Sequence, residues 1–328
     1  MRQFQYIRPL ETSSAVNALV KDPQARFVAG GTNLLDLMKR GVEEPERLVD
    51  INRLPLKDIK KSNQGFTIGS LALNSTVAEH KEILKELPLL SQALLAGASA
   101  QLRNMATVGG NLMQRTRCPY FYDISMPCNK RMPGSGCGAL KGFNRMHAIF
   151  GASEHCIAVN PSDMNVALTA LDATVHLTGP RGQRNIPIQD FHRLPGDKPE
   201  LDTVIARNEL ITGVSVPDSP LRHVHYLKIR DRSSYAFALV SVAAALDLQG
   251  STIRKVSLAM GGVAHKPWRL TVAEDFLTGK QISASVFQEA ATLAMRGAKA
   301  YEHNEFKLKL APLSIAQALS VASGLVKA

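Results

Sequence analysis

The sequence predicts an α+β protein: two α/β subdomains in succession, then an antiparallel sheet with helices. Three observations carry this. Residues 1–56 alternate short β-prone runs with amphipathic helical stretches. From residue 57 to 218 the alternation resumes around a cysteine-rich insertion at 115–157. From residue 219 a long β-prone stretch turns back on itself and gives way to Ala- and Leu-rich helices. At 328 residues the chain exceeds the size at which one hydrophobic core keeps growing, so several subdomains are the natural expectation.

Taken in order, "FQYIRP" and "ARFVAGG" read as strands. "SSAVNALVKD" fits a helix starting at a Ser cap, and "PERLVDI" closes the first βαβ-like unit. The second unit opens at "GFTIGSLALNST", where Thr76 and Glu79 have capping-box spacing ahead of the helix "VAEHKEILKEL". A helix over "PLLSQALLAGASAQLRNMA" leads into "TVGGNLMQ". After the insertion, a helix from Ser162 precedes a hairpin turning at "GPRGQ". In the third unit, two or three antiparallel strands are expected around "LQGST", and helices fill 271–328.

Composition removes several function classes. Hydrophobic residues at 45% describe a globular chain rather than a disordered one. The net charge of +11 invites nucleic acid, but aromatics are only 5% and no basic stripe interleaves with them. The excess charge gathers instead near the cysteines, where Arg115, Arg117, Lys130, Arg131, Lys141 and Arg145 face only Asp123 and Glu154. Such a loop is expected to dock a partner or acceptor. The longest apolar run, 235–248, is too short to span a bilayer, and the N-terminal twenty residues lack the apolar core of an export signal. Export, if it occurs, is expected to need a signal-bearing partner.

Three constellations can carry chemistry. In "RFVAGGTNLLDLMKRG" a β-run enters paired glycines and then a helix, a turn that presents free amides to an anion. Gly30 and Gly31 allow close approach, and Thr32 and Asn33 add side-chain donors. "ATVGGNLMQ" repeats the Thr-x-Gly-Gly-Asn pattern, so two such loops could grip one diphosphate, or be two unrelated turns. "NPSDM" places Asp163 where it could meet a ribose hydroxyl or cap a helix. The third constellation is Cys118, Cys128, Cys137 and Cys156, every thiol of the chain. The spacing lacks zinc knuckles, and a core of this size needs no disulfide staples. An iron–sulfur cluster, zinc and independent thiols all remain open on spacing. His147 and His155 flank the insertion and read as exposed or core-satisfied imidazoles before they read as metal ligands. No Ser-His-Asp, HExxH or paired-carboxylate motif is present.

The segments "FVAGGTNLLDLMKRG", "LRNMATVGGNLMQ" and "PSDMNVALTALDA" resemble the FAD-binding medium subunit of the molybdenum hydroxylases, the xanthine dehydrogenase and carbon monoxide dehydrogenase family. The likeness extends over nearly the whole chain. Through "QRTRCPYFYD", "PCNKRMPGSGC" and "KIRDRSSYAFALVSVAAAL" it is strongest to the FAD and [4Fe-4S] subunit of bacterial periplasmic aldehyde oxidoreductases. The resemblance implies a FAD fold of the type shared with vanillyl-alcohol oxidase, in subdomains 1–56 and 57–218, with 219–328 as the C-terminal flavoprotein domain. It implies that Phe27, Val28, Ala29, Gly30, Gly31, Thr32, Asn33 and Leu34 hold the FAD diphosphate, and that Thr107, Gly110, Asn111, Asp163, Leu210 and Lys228 line the same cofactor. It also implies that the four cysteines ligate a [4Fe-4S] cluster.

The implied activity is electron transfer within an oxidoreductase. Electrons come from the [2Fe-2S] small subunit of a complex whose large subunit holds molybdenum, and they leave to an external acceptor. With no distinct nicotinamide site, ferredoxin, a quinone-linked carrier or dioxygen is expected as acceptor rather than NAD. The implied location is the periplasm, reached with a signal-bearing partner, or else the cytoplasm. A xanthine or heteroaromatic dehydrogenase subunit, a stand-alone FAD oxidase and a zinc-stabilised interaction module are the alternatives.

Overall fold

Neighbouring parallel strands need a crossover connection, usually a helix, and the first unit is built this way. In the computed structural model, which describes residues 1–327, it comprises β1 (Gln5–Ile7), α1 (Thr12–Lys21), β2 (Ala25–Val28), α2 (Leu34–Lys39) and β3 (Arg47–Asp50). β3 lies between the other two strands and is parallel to both. α1 buries Ala15, Val16 and Leu19 beside Val49, Ile51 and Leu54. It begins at Thr12, ahead of the expected Ser cap. Glu11 is the N-cap and makes no side-chain cap bond, while its carbonyl accepts from the Ala15 N–H at 3.1 Å, so packing of the apolar face sets the start.

The second sheet opens with β4 (Ile59–Ser62) and β5 (Gly65–Gly69). Helices α3 (Asn74–Glu79), α4 (Lys81–Glu86), α5 (Pro88–Ala96), α6 (Ala100–Arg103), α7 (Val108–Leu112), α8 (Pro119–Tyr122) and α9 (Asp163–Ala170) follow. β6 (Thr174–Gly179), β7 (Gly182–Pro187), α10 (Ile188–Phe191) and β8 (Leu210–Pro217) complete the unit, whose strand order is β4-β5-β8-β6-β7. All its pairings are antiparallel. Phe66, Ile68, Val175, Leu177, Val214 and Val216 form one apolar core with Leu89, Leu90, Met164 and Leu168 of the helices.

Two local expectations fail here. The capping box does not form, because α3 starts at Asn74 and contains Thr76. Leu73 bridges to Thr107 and the Asn74 N–H donates to the Ala106 carbonyl at 2.9 Å, so a tertiary contact satisfies the helix start. The single helix read across 88–106 is divided at Gly97 and Ala98, with Ala98 left-handed at φ 38°. Arg103 holds that break by donating to both carbonyls at 3.0 Å.

The third unit is a four-stranded antiparallel sheet of β9 (His223–Ile229), β10 (Val240–Gln249), β11 (Thr252–Gly261) and β12 (Trp268–Arg269), followed by α11 (Thr271–Leu277), α12 (Ala284–Ala294) and α13 (Phe306–Ala322). β12 exceeds the two or three strands expected because two residues are too few to show alternation. The unbroken apolar run of β10 has a clear cause. Val240, Val242, Ala244 and Leu246 enter the core beneath the C-terminal helices, whereas Ala243 and Ala245 enter the core of the second unit. A strand buried on both faces loses the period of two.

The insertion belongs to the second unit in sequence but packs on the third. The Ile149 and Phe150 N–H groups donate to the Val263 carbonyl at 2.9 and 3.0 Å, and Phe150 stacks on Trp268 at 5.0 Å. Asn304 Nδ2 donates to the His147 and Ala148 carbonyls at 3.1 Å. Lys307 Nζ, fully buried, donates to the carbonyls of His147 at 3.0 Å and Gly262 at 2.7 Å. Burial pushes its ammonium down to about 7. Asn304→Ala leaves the Ala148 carbonyl without that donor. The expected cost is about 2 kcal/mol, with faster limited proteolysis inside 115–157 while the rest of the chain resists.

Candidate cofactor site

The first glycine loop joins β2 to α2, and a parallel strand feeding a helix points the following amides outward. The N–H groups of Gly30, Gly31, Thr32, Asn33 and Leu34 donate to no protein acceptor among the described residues. Asn33 Nδ2 is likewise buried without a partner, while Asn33 Oδ1 accepts from the Arg115 N–H at 2.9 Å. A Cβ at Gly30 would overlap the Met105 carbonyl, and Gly31 is left-handed at φ 71°. The loop therefore rests directly on the chain leading into the second glycine loop. Phe27 and Ala29 pack on the core of the first unit and Val28 is buried beside Met38 and Leu48. These residues support the loop from below, with Leu34 packed against the same small core as Val28.

The second loop differs from its sequence likeness to the first. It forms α7, capped by Thr107, whose Oγ1 accepts from the Gly110 N–H at 3.2 Å. The Val108, Gly109 and Asn111 amides are also spent, on the carbonyls of Ala72, Ser70 and Thr107. What it presents is an exposed Gly110 and the Asn111 side chain. Asn111 Oδ1 accepts from Gln114 Nε2 at 2.6 Å and from Ser162 Oγ at 2.7 Å.

Ser162 caps α9 and brings in Asp163. The buried Asp163 carboxylate accepts from Lys228 Nζ at 2.8 Å and Tyr226 Oη at 2.8 Å, both on β9. Lys228 also donates to the Ala96 carbonyl at 3.0 Å. Burial, and then Asp163, push the Tyr226 hydroxyl well above its ordinary value, so it remains a donor. Leu210 opens β8 and is buried in the core of the first unit, against which Phe27 and Ala29 also pack.

All four cysteines are free and line one cavity with Thr116, Tyr120, Lys130 and His155. Cys128 and Cys137 pair as an isolated antiparallel bridge. Burial pushes the Cys118 thiol up to about 12 and the Cys156 thiol up to about 11, with neighbouring cysteines adding to both. Among the described residues no group of three or more His, Cys, Asp or Glu side chains is gathered closely enough to hold a metal ion. His147, expected to be a bystander, is buried with Nε2 3.1 Å from Cys118 Sγ. His265 has no signal in the spacing, yet its Nε2 lies 3.3 Å from Cys156 Sγ.

The basic residues of the insertion do not form the docking face expected of them. Lys130 is buried and donates to Asp202 at 2.5 Å and to the Pro199 carbonyl. Arg115 pairs with Glu43 at 2.7 Å and Asp202 at 2.8 Å. Arg117 bonds the Tyr122 hydroxyl and lies over Phe237, and Arg131 donates to backbone carbonyls of its own loop. Arg145 pairs with Asp231 at 2.7 Å. Among the described residues only Lys141 of the six is exposed without a partner.

Residues 2–219 match the family described as the FAD binding domain in molybdopterin dehydrogenase, and residues 225–319 match the CO dehydrogenase flavoprotein C-terminal domain. The chain belongs to this FAD-binding family. It is 48% identical over 327 residues to the aldehyde oxidoreductase FAD-binding subunit PaoB of Escherichia coli (strain K12), covering 98% of this chain and 99% of that one. It is 29% identical to the glyceraldehyde dehydrogenase medium chain of Sulfolobus acidocaldarius, over 88% of this chain and 86% of that one. Quinoline 2-oxidoreductase from Pseudomonas putida 86 superposes at TM-score 0.77 with 25% identity and 98% coverage of both chains. The protein is therefore an FAD-binding oxidoreductase subunit of the molybdenum hydroxylase family, with that family's two-part flavoprotein fold.

A FAD-binding subunit needs donors for a diphosphate, and the unused amides of 30–34 with Asn33 Nδ2 meet that need. Gly30→Ala forces a methyl group into the Met105 carbonyl. The purified variant is expected to hold less than about a tenth of the wild-type flavin per chain, read from visible absorbance.

Burial alone would raise the Asp202 carboxyl, but Lys130 and Arg115 more than offset it and hold it at about 2. Its ordinary value is 3.8. The stability it contributes is thus fully present above about pH 4 and lost as pH falls through about 2. Asp202→Asn leaves Lys130 buried without a counter-charge, at an expected cost of about 3 kcal/mol at pH 7. Urea unfolding followed by Trp268 fluorescence should show that difference shrinking as pH falls from 4 toward 2.

Proposed function

We propose that this chain is the electron-transfer subunit of a molybdenum-dependent aldehyde oxidoreductase, binding both FAD and a [4Fe-4S] cluster. The observation that carries the reading is the convergence of every thiol of the chain on one cavity beside the glycine loops. Cys118 is three residues from Arg115, whose amide bonds Asn33, so at most about 11 Å of backbone separates the two sites. Cys156 leads through Asn160 and Ser162 into Asp163, with the Ser162 N–H bonded to Asn160 Oδ1 at 3.0 Å. The 48% identity to an aldehyde oxidoreductase FAD-binding subunit favours an aldehyde substrate for the complex.

FAD supplies a store for two electrons that exchanges them singly, and the cluster a one-electron relay. The residues' own tasks are binding and shielding. Amides 30–34 and Asn33 hold the diphosphate, while Asn111 and Gly110 allow approach from the second loop. Asp163, neutralised by Lys228, offers acceptor oxygens to a hydroxyl or ring N–H without a net charge. Cys118, Cys128, Cys137 and Cys156 would hold the cluster. Four thiols without paired zinc knuckles match a four-iron cluster in count.

In this reading electrons arrive from [2Fe-2S] clusters of a small subunit, after oxidation at a molybdenum large subunit, and leave to ferredoxin, a quinone-linked carrier or dioxygen. The complex works in the periplasm, exported with a signal-bearing partner. No helix among the described residues is long and apolar enough to cross a membrane.

The test is the iron, acid-labile sulfide, zinc and flavin content of anaerobically purified protein. Four irons, four sulfides and one FAD per chain are expected. Cys128→Ser should lose most of the iron and keep its flavin. Zinc in place of iron, or iron unchanged in Cys128→Ser, would refute the cluster.

A further inference from the structure

Two buried imidazoles at the cysteine cavity have no role in the reading above. His147 comes from the insertion and His265 from the turn between β11 and β12. Yet each directs Nε2 at a cysteine sulfur, Cys118 at 3.1 Å and Cys156 at 3.3 Å. In both rings the other nitrogen, Nδ1, is buried and has no partner. That asymmetry selects the tautomer. A proton on Nδ1 would bury a donor with nothing to accept it, which is rarer and costlier than an unused acceptor. With the proton on Nε2, each N–H points at sulfur. Four cysteines already match four irons, so neither imidazole is required as a ligand.

We propose that His147 and His265 donate Nε2–H···S hydrogen bonds to the Cys118 and Cys156 thiolates and thereby raise the reduction potential of the cluster they hold. The inference rests on the cluster reading. A donor to a ligating sulfur withdraws negative charge and favours the reduced cluster, which carries one more electron. The two sulfurs addressed are those whose chains lead to the FAD loops, Cys118 through Arg115 to Asn33 and Cys156 through Asn160 to Asp163. The backbone at or beside both residues is also anchored. Asn304 and Lys307 hold the His147 carbonyl, and the Asn160 N–H donates to the Ala264 carbonyl at 2.9 Å, next to His265. These are positioning residues whose effect passes through the thiolates.

The experiment uses the full chain, purified anaerobically as wild type, His147→Leu, His265→Leu and His265→Gln. Each is assayed for iron and then titrated potentiometrically by electron paramagnetic resonance of the reduced cluster. Each Leu variant is expected to keep its iron and to show a roughly tenfold lower reduced-to-oxidised ratio at the wild-type midpoint, about 59 mV for one electron. His265→Gln, whose amide nitrogen can reach the Nε2 position, should recover most of the shift. Equal midpoints in wild type and both Leu variants would overturn this proposal and leave the cluster standing. Wild type without iron and sulfide would overturn the cluster reading first and this one with it. Should a Leu variant lose its iron, wild-type protein with ¹⁵N-labelled histidine decides. Pulsed resonance of the reduced state should show two weakly coupled ring nitrogens, and strong coupling or none refutes the hydrogen bonds.

Discussion

The site depends on one close approach, that of Gly30 to the backbone at Met105 and Ala106. Any side chain at residue 30 would part the two glycine loops. With them in contact, the amides of 30–34 cannot fold back onto their own chain and remain free. The other connections extend from there: Asn33 to Arg115, Asn111 to Ser162, and Asp163 to Lys228 on β9. Residues from all three sheets, which also share apolar cores, thereby meet through polar contacts at the site. The last of these is a buried ion pair, which adds little net stability but fixes geometry because breaking either partner strands the other.

Charge in the insertion serves cohesion rather than display. A loop of more than forty residues whose only helix is the four-residue α8 has few backbone pairs of its own, so its carbonyls need donors from side chains. Arg131 supplies several, and Lys130 and Arg115 converge on Asp202 from a different part of the second unit. An excess of basic residues read along the chain looks like a surface for a partner because the counter-charges, Glu43, Asp202 and Asp231, are distant in sequence.

Sequence was informative where the signal is local. The βαβ start, the Ser162 cap of α9, the "GPRGQ" hairpin and the "LQGST" turn are all set by neighbouring residues, and the structure has each of them. The glycine loops and the clustering of the thiols were legible for the same reason. The failures are contacts across the fold. Thr76 lost its cap to a bridge between Leu73 and Thr107. The two glycine loops, alike in letters, diverged because Ser70, Ala72 and Thr107 consume the amides of the second. His265 stands 109 residues from the cysteine it faces, and no periodicity reports such a distance.

The insertion also borrows its order from the C-terminal unit. Asn304, Lys307, Val263 and Trp268 all hold residues 147–150, while burial drives the Cys118 and Cys156 thiols toward their protonated form. Binding of the proposed cluster would displace those protons, so part of its binding energy would be spent on deprotonation and part on organising the loop. A loop anchored beforehand on a separate sheet needs less of that energy for ordering. The same anchoring places His265 at Cys156 before any metal arrives. On this account the C-terminal unit prepares the cysteine cavity, and transplanting residues 115–157 alone would carry the thiols without the scaffold that aligns them.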